Sequence, residues 1–203
     1  MIFHRDPIRR LTALPSSILV RNVFTTQECQ NIIDKTTKLI EPQLGKTFGD
    51  TTDEKVRNGN VRWISCTPET KWIFDKIDFT LNEVNCEWFN FDLVGYNQIQ
   101  FTEYQDSNQR YSWHTDMGWA EKDIVLSPEI HLRKLSCSIL LNQQEIDFEG
   151  GNFEFDNMSK PKNIELDAGD AVVFPSFVWH QITPVTKGTR YSLVVWVVGP
   201  PFK

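Results

Sequence analysis

A histidine and an aspartate stand two positions apart in the segment YSWHTDMGW, residues 111–119. If this segment is extended, His114 and Asp116 face the same side of it, because alternate residues of a strand share a face. Imidazole nitrogens and carboxylate oxygens both bind divalent metals. A surface histidine beside a carboxylate is the alternative, since the chain has 27 Asp and Glu residues for its 4 histidines. The pair therefore needs further partners before it indicates a metal site.

His180 supplies such a partner, 64 positions beyond Asp116. Two histidines and one carboxylate can bind one face of an octahedral ion and leave three positions open, as in non-haem Fe(II) oxygenases. We therefore predict that His180 comes from another strand of the same sheet system as His114. A zinc hydrolase, in which the same three ligands hold a metal that activates water, is a rival interpretation.

Arg190 follows His180 by ten positions, across a turn marked by Pro184 and Gly188. We predict that it lies on a neighbouring strand and points into the barrel. A lone buried guanidinium is costly unless an anion meets it, and arginine can hold a carboxylate with two parallel hydrogen bonds. A dicarboxylate cosubstrate would supply that anion. The alternative is a surface arginine on an edge strand.

Two more polar side chains are predicted to reach the same ligand. Ser192 shares a strand face with Arg190, and Tyr104 ends the strand-like run QIQFTEY. Each can donate a hydroxyl hydrogen bond to a carboxylate. A tyrosine that only packs in the core remains an alternative for Tyr104.

Two amphipathic helices are predicted ahead of these residues. The first covers residues 26–40, is capped by Thr25 or Thr26, ends before Pro42, and has an apolar face formed by Cys29, Ile32, Ile33 and Leu39. The second covers residues 69–86, with an apolar stripe of Trp72, Ile73, Ile77, Leu81 and Val84. The polar segment between them, residues 45–60, is predicted to be a loop.

The chain changes character after Asn90, where short β-rich runs begin. Residues 91–105 alternate as a strand pair would, and further runs follow at 135–142, 151–156, 170–176 and 190–199. Two helices followed by seven or eight strands predict an α+β fold with a jelly-roll core. We expect a single domain, residues 1–203, with a helical support region and substrate loop at 1–90 and the core at 91–203.

Taken together, the motifs resemble one known family, the Fe(II)/2-oxoglutarate-dependent dioxygenases. The closest resemblance is to the prolyl-4-hydroxylase-like branch, including its bacterial and phage members. The resemblance covers about residues 91–200 and rests on Y-S-W-H-T-D (111–116), L-S-C-S-I-L-L-N (135–142), E-G-G-N-F-E-F (149–155), L-D-A-G-D-A-V-V-F-P-S (166–176) and H-Q-I-T-P-V-T-K-G-T-R-Y-S (180–192).

This resemblance implies a cupin-like double-stranded β-helix that binds Fe(II), 2-oxoglutarate and O₂. Fe(II) would be held by His114, Asp116 and His180, and 2-oxoglutarate by Arg190, with help from Tyr104 and Ser192. The reaction implied is hydroxylation with release of succinate and CO₂, and ascorbate is implied as a stimulant of turnover.

The expected substrate is a prolyl residue of a peptide or protein, and a free amino acid or other small molecule is the alternative. Candidate substrate contacts are Arg57, Asn58, Arg62 and Trp63 of the loop 45–63, together with Trp179 beside His180. That loop would fold over the site and exclude water. The alternative interpretations are that the loop 45–63 is simply solvated and that Trp179 packs in the core.

Net charge, apolar runs and cysteine spacing disfavour several of the remaining classes of protein. The formal net charge of −6 disfavours nucleic acid as a partner, and an extended arginine motif of the kind used by nucleic-acid demethylases is missing around Arg190. The chain has no apolar run long enough for a signal peptide or a membrane span, and its 4 cysteines are scattered. We therefore expect a cytoplasmic protein. A non-catalytic jelly-roll binding module is the last alternative.

Overall fold

The structure is a computed structural model that describes residues 14–45, 56–117 and 131–202. In chain order its elements are β1 (Ile18–Val20), α1 (Thr26–Leu39), β2 (Gln43–Leu44), β3 (Asn60–Ser65), α2 (Lys71–Val84), a π-helical turn (Asn85–Phe89), β4 (Gln98–Gln105), β5 (Tyr111–His114), β6 (Leu132–Leu140), β7 (Phe148–Gly150), β8 (Phe153–Phe155), β9 (Lys162–Ile164), β10 (Ala171–Pro175), β11 (His180–Ile182) and β12 (Val185–Gly199).

The described strands form two antiparallel sheets whose inner faces enclose a cavity. The larger sheet has the order β1-β10-β6-β12-β4-β3-β2, with β7 also paired to β12, and the smaller has the order β5-β11-β8-β9. From β4 onward the chain passes repeatedly from one sheet to the other, as in a jelly roll. The predicted α+β fold with a double-stranded β-helix is confirmed.

Both faces of the larger sheet are buried, which explains why its strands are almost continuously apolar. On β12, Leu193, Val195 and Val197 face the helices and join one core. The alternate residues Arg190 and Ser192 face the smaller sheet and line the cavity. The strand period of two thus sends apolar side chains to the helices and polar ones to the site.

Helix α1 begins with a capping box, in which Thr25 and Glu28 each accept a hydrogen bond from the other's backbone N–H. Its buried residues are Cys29, Ile32, Ile33 and Thr36. Leu39 was predicted to belong to this face, but 75% of it is exposed. It lies in the last turn at the margin of the buried arc, so that prediction was wrong.

Helix α2 follows the predicted stripe, with Ile73, Ile77, Leu81 and Val84 buried against the larger sheet. It ends two residues earlier than predicted, and the chain continues in a π-helical turn as far as Phe89. Neither helix is long and apolar enough to cross a bilayer, and the described part of the chain holds no other helix that could.

Several of the predicted strand assignments were wrong. The run 91–105 holds one strand, β4, because residues 91–97 make only an isolated bridge at Gly95. The N-terminal region also contributes β1, β2 and β3 to the larger sheet. Residues 60–63, predicted as loop, therefore lie in β3, which pairs with β4. Residues 46–55 of the proposed substrate loop lie outside the described residues.

The long strand β12 begins at Val185 rather than at Arg190 and runs through Gly188. Gly188 has a φ of +70°, and a Cβ there would lie 2.1 Å from the carbonyl oxygen of Asp147. Here the strand exchanges its partner β7 for β4 and β6. The predicted turn at Gly188 was wrong, and Arg190 lies on the sheet opposite His180, rather than on a strand beside it.

Candidate metal centre and anion site

The three proposed metal ligands converge at the edge of the cavity. His180 opens β11 directly opposite His114, the last residue of β5, and Asp116 follows two residues later. The Asp116 carboxylate oxygens lie 3.7 Å from His114 Nε2 and 3.6 Å from His180 Nε2. One ligand atom from each residue lies within 4.8 Å of the others. The structure thus brings together the trio that the sequence suggested.

Both histidines are held with Nε2 towards the centre. His114 Nδ1 lies 2.8 Å from the carbonyl oxygen of Ser112, and His180 Nδ1 lies 2.9 Å from that of Val178. A protonated Nδ1 that donates to these carbonyls leaves the Nε2 lone pair free for a metal. Burial, reinforced by the nearby His180, lowers the pKa of His114 to about 3, so the ring is neutral at physiological pH.

Aromatic rings shield the two imidazoles from water. Tyr111 stacks on His114 with ring centroids 3.4 Å apart. Phe153 stacks on His180 at 5.5 Å, and Phe174 meets the same imidazole edge-on at 4.7 Å. Such packing holds the rings in position and keeps the site poorly solvated.

Asp116 has the features expected of a carboxylate that binds a metal cation. Burial acts to raise its pKa, but His180, His114 and a hydrogen bond from Ser136 outweigh burial and lower it. Its Oδ2 is buried with no hydrogen-bond partner among the described residues. A divalent metal between this oxygen and the two imidazole Nε2 atoms fits the donor set.

Ser136 has a role that the sequence did not suggest. Its hydroxyl lies near enough to the Asp116 carboxylate to help lower the pKa of Asp116, and it lies 2.8 Å from the hydroxyl of Ser176. The carbonyl oxygen of Ser176 in turn accepts the backbone N–H of Asp116 at 2.9 Å. These contacts hold the carboxylate in one orientation.

We predict that Ser136→Ala lowers the affinity for Fe(II) or Co(II) by about 10- to 100-fold, the usual effect of removing a hydrogen bond to a metal ligand. Anaerobic calorimetric titration of the metal-free protein would measure it. Ser138→Ala, two residues along the same strand face, is the matched control and should keep the parental affinity. Equal affinities for all three proteins would exclude this role for Ser136.

Arg190 is the largest of the fully buried side chains and is 2% exposed. Its Nη1 donates to Ser192 Oγ at 2.9 Å, and Tyr104 lies opposite it across the ladder between β12 and β4. Among the described residues, no carboxylate pairs with it. Burial lowers the pKa of Arg190 to about 10, so the guanidinium is still charged near neutral pH.

Gly151 makes room for this arginine. It has a φ of +60°, and a Cβ there would lie 2.9 Å from Arg190 Cδ. A buried cation with two hydroxyl neighbours and no anion fits a carboxylate ligand. The predicted group of Arg190, Ser192 and Tyr104 therefore lies together in the same cavity as the metal ligands.

The candidate substrate residues do not lie together, unlike the proposed metal ligands and the group around Arg190. Arg57 lines the cavity, with Cζ 4.7 Å from the ring centroid of Tyr111. Asn58 accepts the backbone N–H of Arg110 at 2.8 Å and holds its own segment in place instead of lining the cavity. Trp63 lies beside the cavity, 6.3 Å from the ring of Trp196.

Arg62 and Trp179 do not reach the cavity. Arg62 forms a buried ion pair with Glu103 at 2.5 Å and donates through Nε to the carbonyl oxygen of Ile40. These partners hold it on the helix side of the larger sheet. Trp179 is 49% exposed and lines a separate surface depression with Trp113. It precedes His180, and successive strand residues face opposite sides.

Several cavity residues were missed by the sequence reasoning. They are Gln100, Thr102, Tyr111, Ser138 and Trp196. Gln100, Thr102 and Trp196 could have been predicted from the strand period of two, because they lie at even spacings from Tyr104 and Arg190 on the same strand faces. His131, the remaining histidine among the described residues, is exposed just before β6 and does not line this cavity.

Comparison with known proteins places this site in a family. Residues 99–198 match the model of the 2OG-Fe(II) oxygenase superfamily. A PKHD-type hydroxylase of Alteromonas mediterranea is 33% identical over 97 residues, 48% of this chain and 41% of that protein. One from Psychrobacter is 35% identical over 97 residues, 48% of this chain and 36% of that protein. The chain thus spans less than half the length of these curated relatives.

Solved structures give the same answer for the fold. A Trichoplax adhaerens prolyl hydroxylase, in complex with a peptide fragment of hypoxia inducible factor, superposes with a TM-score of 0.72 at 16% identity, covering 90% of this chain and 83% of that one. A Pseudomonas putida prolyl-4-hydroxylase gives 0.67 at 18% identity, covering 92% and 94%. All three proposed metal ligands and Arg190 fall inside the matched region. Residues 99–198 thus belong to the 2OG-Fe(II) oxygenase superfamily, and the chain has the fold of the prolyl hydroxylases.

Proposed function

We propose that this protein is an Fe(II)- and 2-oxoglutarate-dependent hydroxylase that releases succinate and CO₂. One observation carries the proposal: a buried cluster of two histidines and an aspartate shares a cavity with a buried arginine that has no carboxylate partner among the described residues. A hydrolytic zinc site would leave Arg190 without a role. A non-catalytic module would have no need for Asp116 Oδ2 to be buried and unpartnered.

Each residue then has a specific task. Bound Fe(II) supplies the activation of O₂ that is coupled to oxidative decarboxylation of 2-oxoglutarate. The two histidines and Asp116 would hold the metal through their Nε2 and carboxylate oxygen atoms. Arg190 binds the far carboxylate of 2-oxoglutarate, Ser192 orients the guanidinium, and Tyr104 donates its phenol to the same carboxylate.

The direct test combines anaerobic loading with Fe(II) and 2-oxoglutarate and a pulse of O₂. Succinate should form, and an acceptor substrate should gain the mass of one oxygen atom. Metal-free protein and protein loaded with Zn(II) are the controls and should form no succinate. Absence of succinate from fully loaded protein, with or without any acceptor, would contradict the proposal.

For the substrate, we propose a prolyl residue of a peptide or protein, hydroxylated on its ring. Support comes from the fold shared with prolyl hydroxylases, one of which was solved with a peptide fragment. The indole rings of Trp63 and Trp196 beside the cavity suit a proline ring, whose fixed φ also makes a peptide a low-entropy ligand.

A free amino acid is the alternative substrate, and one comparison separates the two. We expect oxygen incorporation, coupled to succinate formation, with proline-containing peptides and not with free L-proline or other free amino acids. Incorporation only into a free amino acid would overturn the peptide assignment and keep the hydroxylase.

A further inference from the structure

The turn between β10 and β11, residues 175–178, supports two of the three proposed metal ligands. A hydrogen bond of 2.9 Å between its first carbonyl oxygen and its last N–H closes it. The carbonyl oxygen of Ser176 accepts the backbone N–H of Asp116, and the carbonyl oxygen of Val178 lies 2.9 Å from His180 Nδ1. We call residues 175–178 the ligand turn. Its movement would displace a carboxylate and an imidazole together.

The strand ladders stop on either side of the ligand turn. β10 belongs to the larger sheet and β11 to the smaller one, so the chain crosses from one sheet to the other here. The paired residues of β10 end at Pro175, and those of β11 begin at His180. A backbone hydrogen bond of 3.0 Å from Ser176 to Lys134 ties the turn to β6. The position of the rest of the turn then depends on side-chain packing.

Phe177, in the middle of the ligand turn, packs against the last residue that the structure describes. Phe202 meets it edge-on, with ring centroids 6.0 Å apart. The Phe202 ring also contacts Phe91 at 5.2 Å, and Lys134 Nζ lies 4.5 Å from its centroid. Aromatic pairs at such separations attract one another, and an ammonium attracts the face of a ring. Phe202 thus joins the ligand turn to two other parts of the chain.

The residues on which Phe202 packs are themselves held in place. Phe91 packs against the helix-side core, and the side chain of Asn85 bonds both its backbone N–H and its carbonyl oxygen. Lys134 is buried and donates through Nζ to the carbonyl oxygen of Asp92 at 3.2 Å. Phe202 therefore rests on a fixed base and can hold the ligand turn against it.

We propose that Phe202 is a positioning residue for the metal centre and acts through Phe177 and the ligand turn. The inference rests on the metal centre of the proposed function. Phe177 and Phe202 are not among the described residues that line the cavity, so neither ring touches a metal bound there. With Phe202 in place, the ligand turn presents its two carbonyl oxygens in fixed positions. Without it the ligands must be ordered when the metal binds, which lowers the affinity.

Metal affinity tests the proposal directly. We expect Phe202→Ala to lower the affinity for Zn(II) and Co(II) by about 10-fold, the lower end of the loss caused by removing a side chain that supports a metal ligand. Phe177→Ala should have the same effect, and the double variant should lose no more than either single one, because both remove one contact. Phe202→Tyr, which keeps the ring, should restore the parental affinity. Parental affinity in Phe202→Ala, or losses that add in the double variant, would overturn the proposal.

Proton signals of the two histidines separate positioning from a general loosening of the fold. His180 Nδ1 lies against the ligand turn, whereas His114 Nδ1 lies against a carbonyl oxygen of β5. In Zn(II)-loaded protein labelled with ¹⁵N-histidine, contacts with Phe153 assign the first Nδ1–H signal and contacts with Tyr111 the second. We expect Phe202→Ala to shift the His180 signal and to leave that of His114 in place. Equal shifts of both signals, or a shift of neither, would count against the proposal.

Amide exchange tests the positioning role apart from the proposed function. The backbone N–H groups of Asp116 and Met117 both donate to the carbonyl oxygen of Ser176 at 2.9 Å. In metal-free protein, we expect Phe202→Ala to remove part of their protection against hydrogen exchange. If that loss is seen but fully loaded parent protein forms no succinate, the proposed function fails and the positioning role stands. Unchanged protection would overturn the positioning role even if succinate is formed.

Trp72→Ala is the matched control for the loss of an aromatic contact. Trp72 packs edge-on against Phe24, with ring centroids 5.9 Å apart, and this pair belongs to the helix-side core, away from the ligand turn. The variant should unfold at a lower urea concentration, as Phe202→Ala should, but keep the parental metal affinity and histidine signals. An equal loss of metal affinity in Trp72→Ala would show that stability alone sets the affinity, and would exclude the positioning role of Phe202.

Discussion

Replacing His180 with alanine is expected to abolish both metal binding and 2-oxoglutarate decarboxylation. The substitution removes one of three protein ligands and leaves Asp116 Oδ2 facing an empty space where Nε2 had been 3.6 Å away. Loss of a partner outside the ligand set already costs 10- to 100-fold in metal affinity, so we expect a loss of more than about 100-fold. Anaerobic titration with Fe(II) or Co(II) measures binding, and succinate formation measures turnover.

His131→Ala is the matched control for this experiment. His131 is exposed just ahead of β6, so its loss should leave both metal affinity and succinate formation at the parental level. The His180→Ala protein should remain folded. In the parent protein the His180 ring is held by packing against Phe174 and by one contact with a backbone carbonyl oxygen, and strand pairing does not depend on either. Parental succinate formation by a folded His180→Ala protein would show that the metal centre has been assigned to the wrong residues.

The second large effect is expected for Arg190→Ala. Its guanidinium is the one buried cation beside Tyr104 and Ser192 in the described cavity lining, and a charge-assisted pair with a carboxylate contributes about 2–4 kcal/mol. The apparent KM for 2-oxoglutarate should therefore rise by roughly 30- to 1,000-fold. Metal affinity should stay close to normal, since Arg190 and the metal ligands lie on different sheets. Succinate formation at varied 2-oxoglutarate measures the first quantity, and Co(II) titration the second.

Lys187→Ala gives the control on the same strand. Lys187 is exposed and pairs with Glu149 at the surface, so its removal should not alter the 2-oxoglutarate requirement. N-oxalylglycine, a mimic of 2-oxoglutarate, should compete with 2-oxoglutarate in the parent protein and much less in Arg190→Ala. An unchanged apparent KM in Arg190→Ala would remove this residue from the cosubstrate site.

The sequence by itself was enough to predict the metal ligands and the buried arginine. His114 and Asp116 are related by the strand period of two, which is a local property of the chain, and their chemistry limits what they can bind together. The two-helix start and the β-rich remainder were equally visible, because amphipathic periodicity is local as well. The prediction that Arg190 points into the barrel rested on its spacing from His180 across a turn. The side chain is buried as predicted, although β12 runs through Gly188 and lies on the other sheet.

Only the tertiary structure decided which polar side chains reach the cavity. Arg62 and Arg57 look equivalent in the sequence, but pairing of β3 with β4 puts Arg62 beside Glu103 on the helix side, while Arg57 lies over Tyr111. Trp179 was favoured for its position next to His180, yet that neighbouring position is what turns it outward.

Ser136 and Arg133 are two further side chains whose positions only the tertiary structure decided. They stand about twenty residues beyond His114 and have no motif of their own, and they meet Asp116 because β6 lies beside β10 and β12 in the larger sheet. Strand register between distant segments sets these contacts, and a one-residue slip would turn every such side chain to the other face. The local pattern was enough to predict the proposed ligands and the fold class, whereas long-range pairing determined what surrounds those ligands.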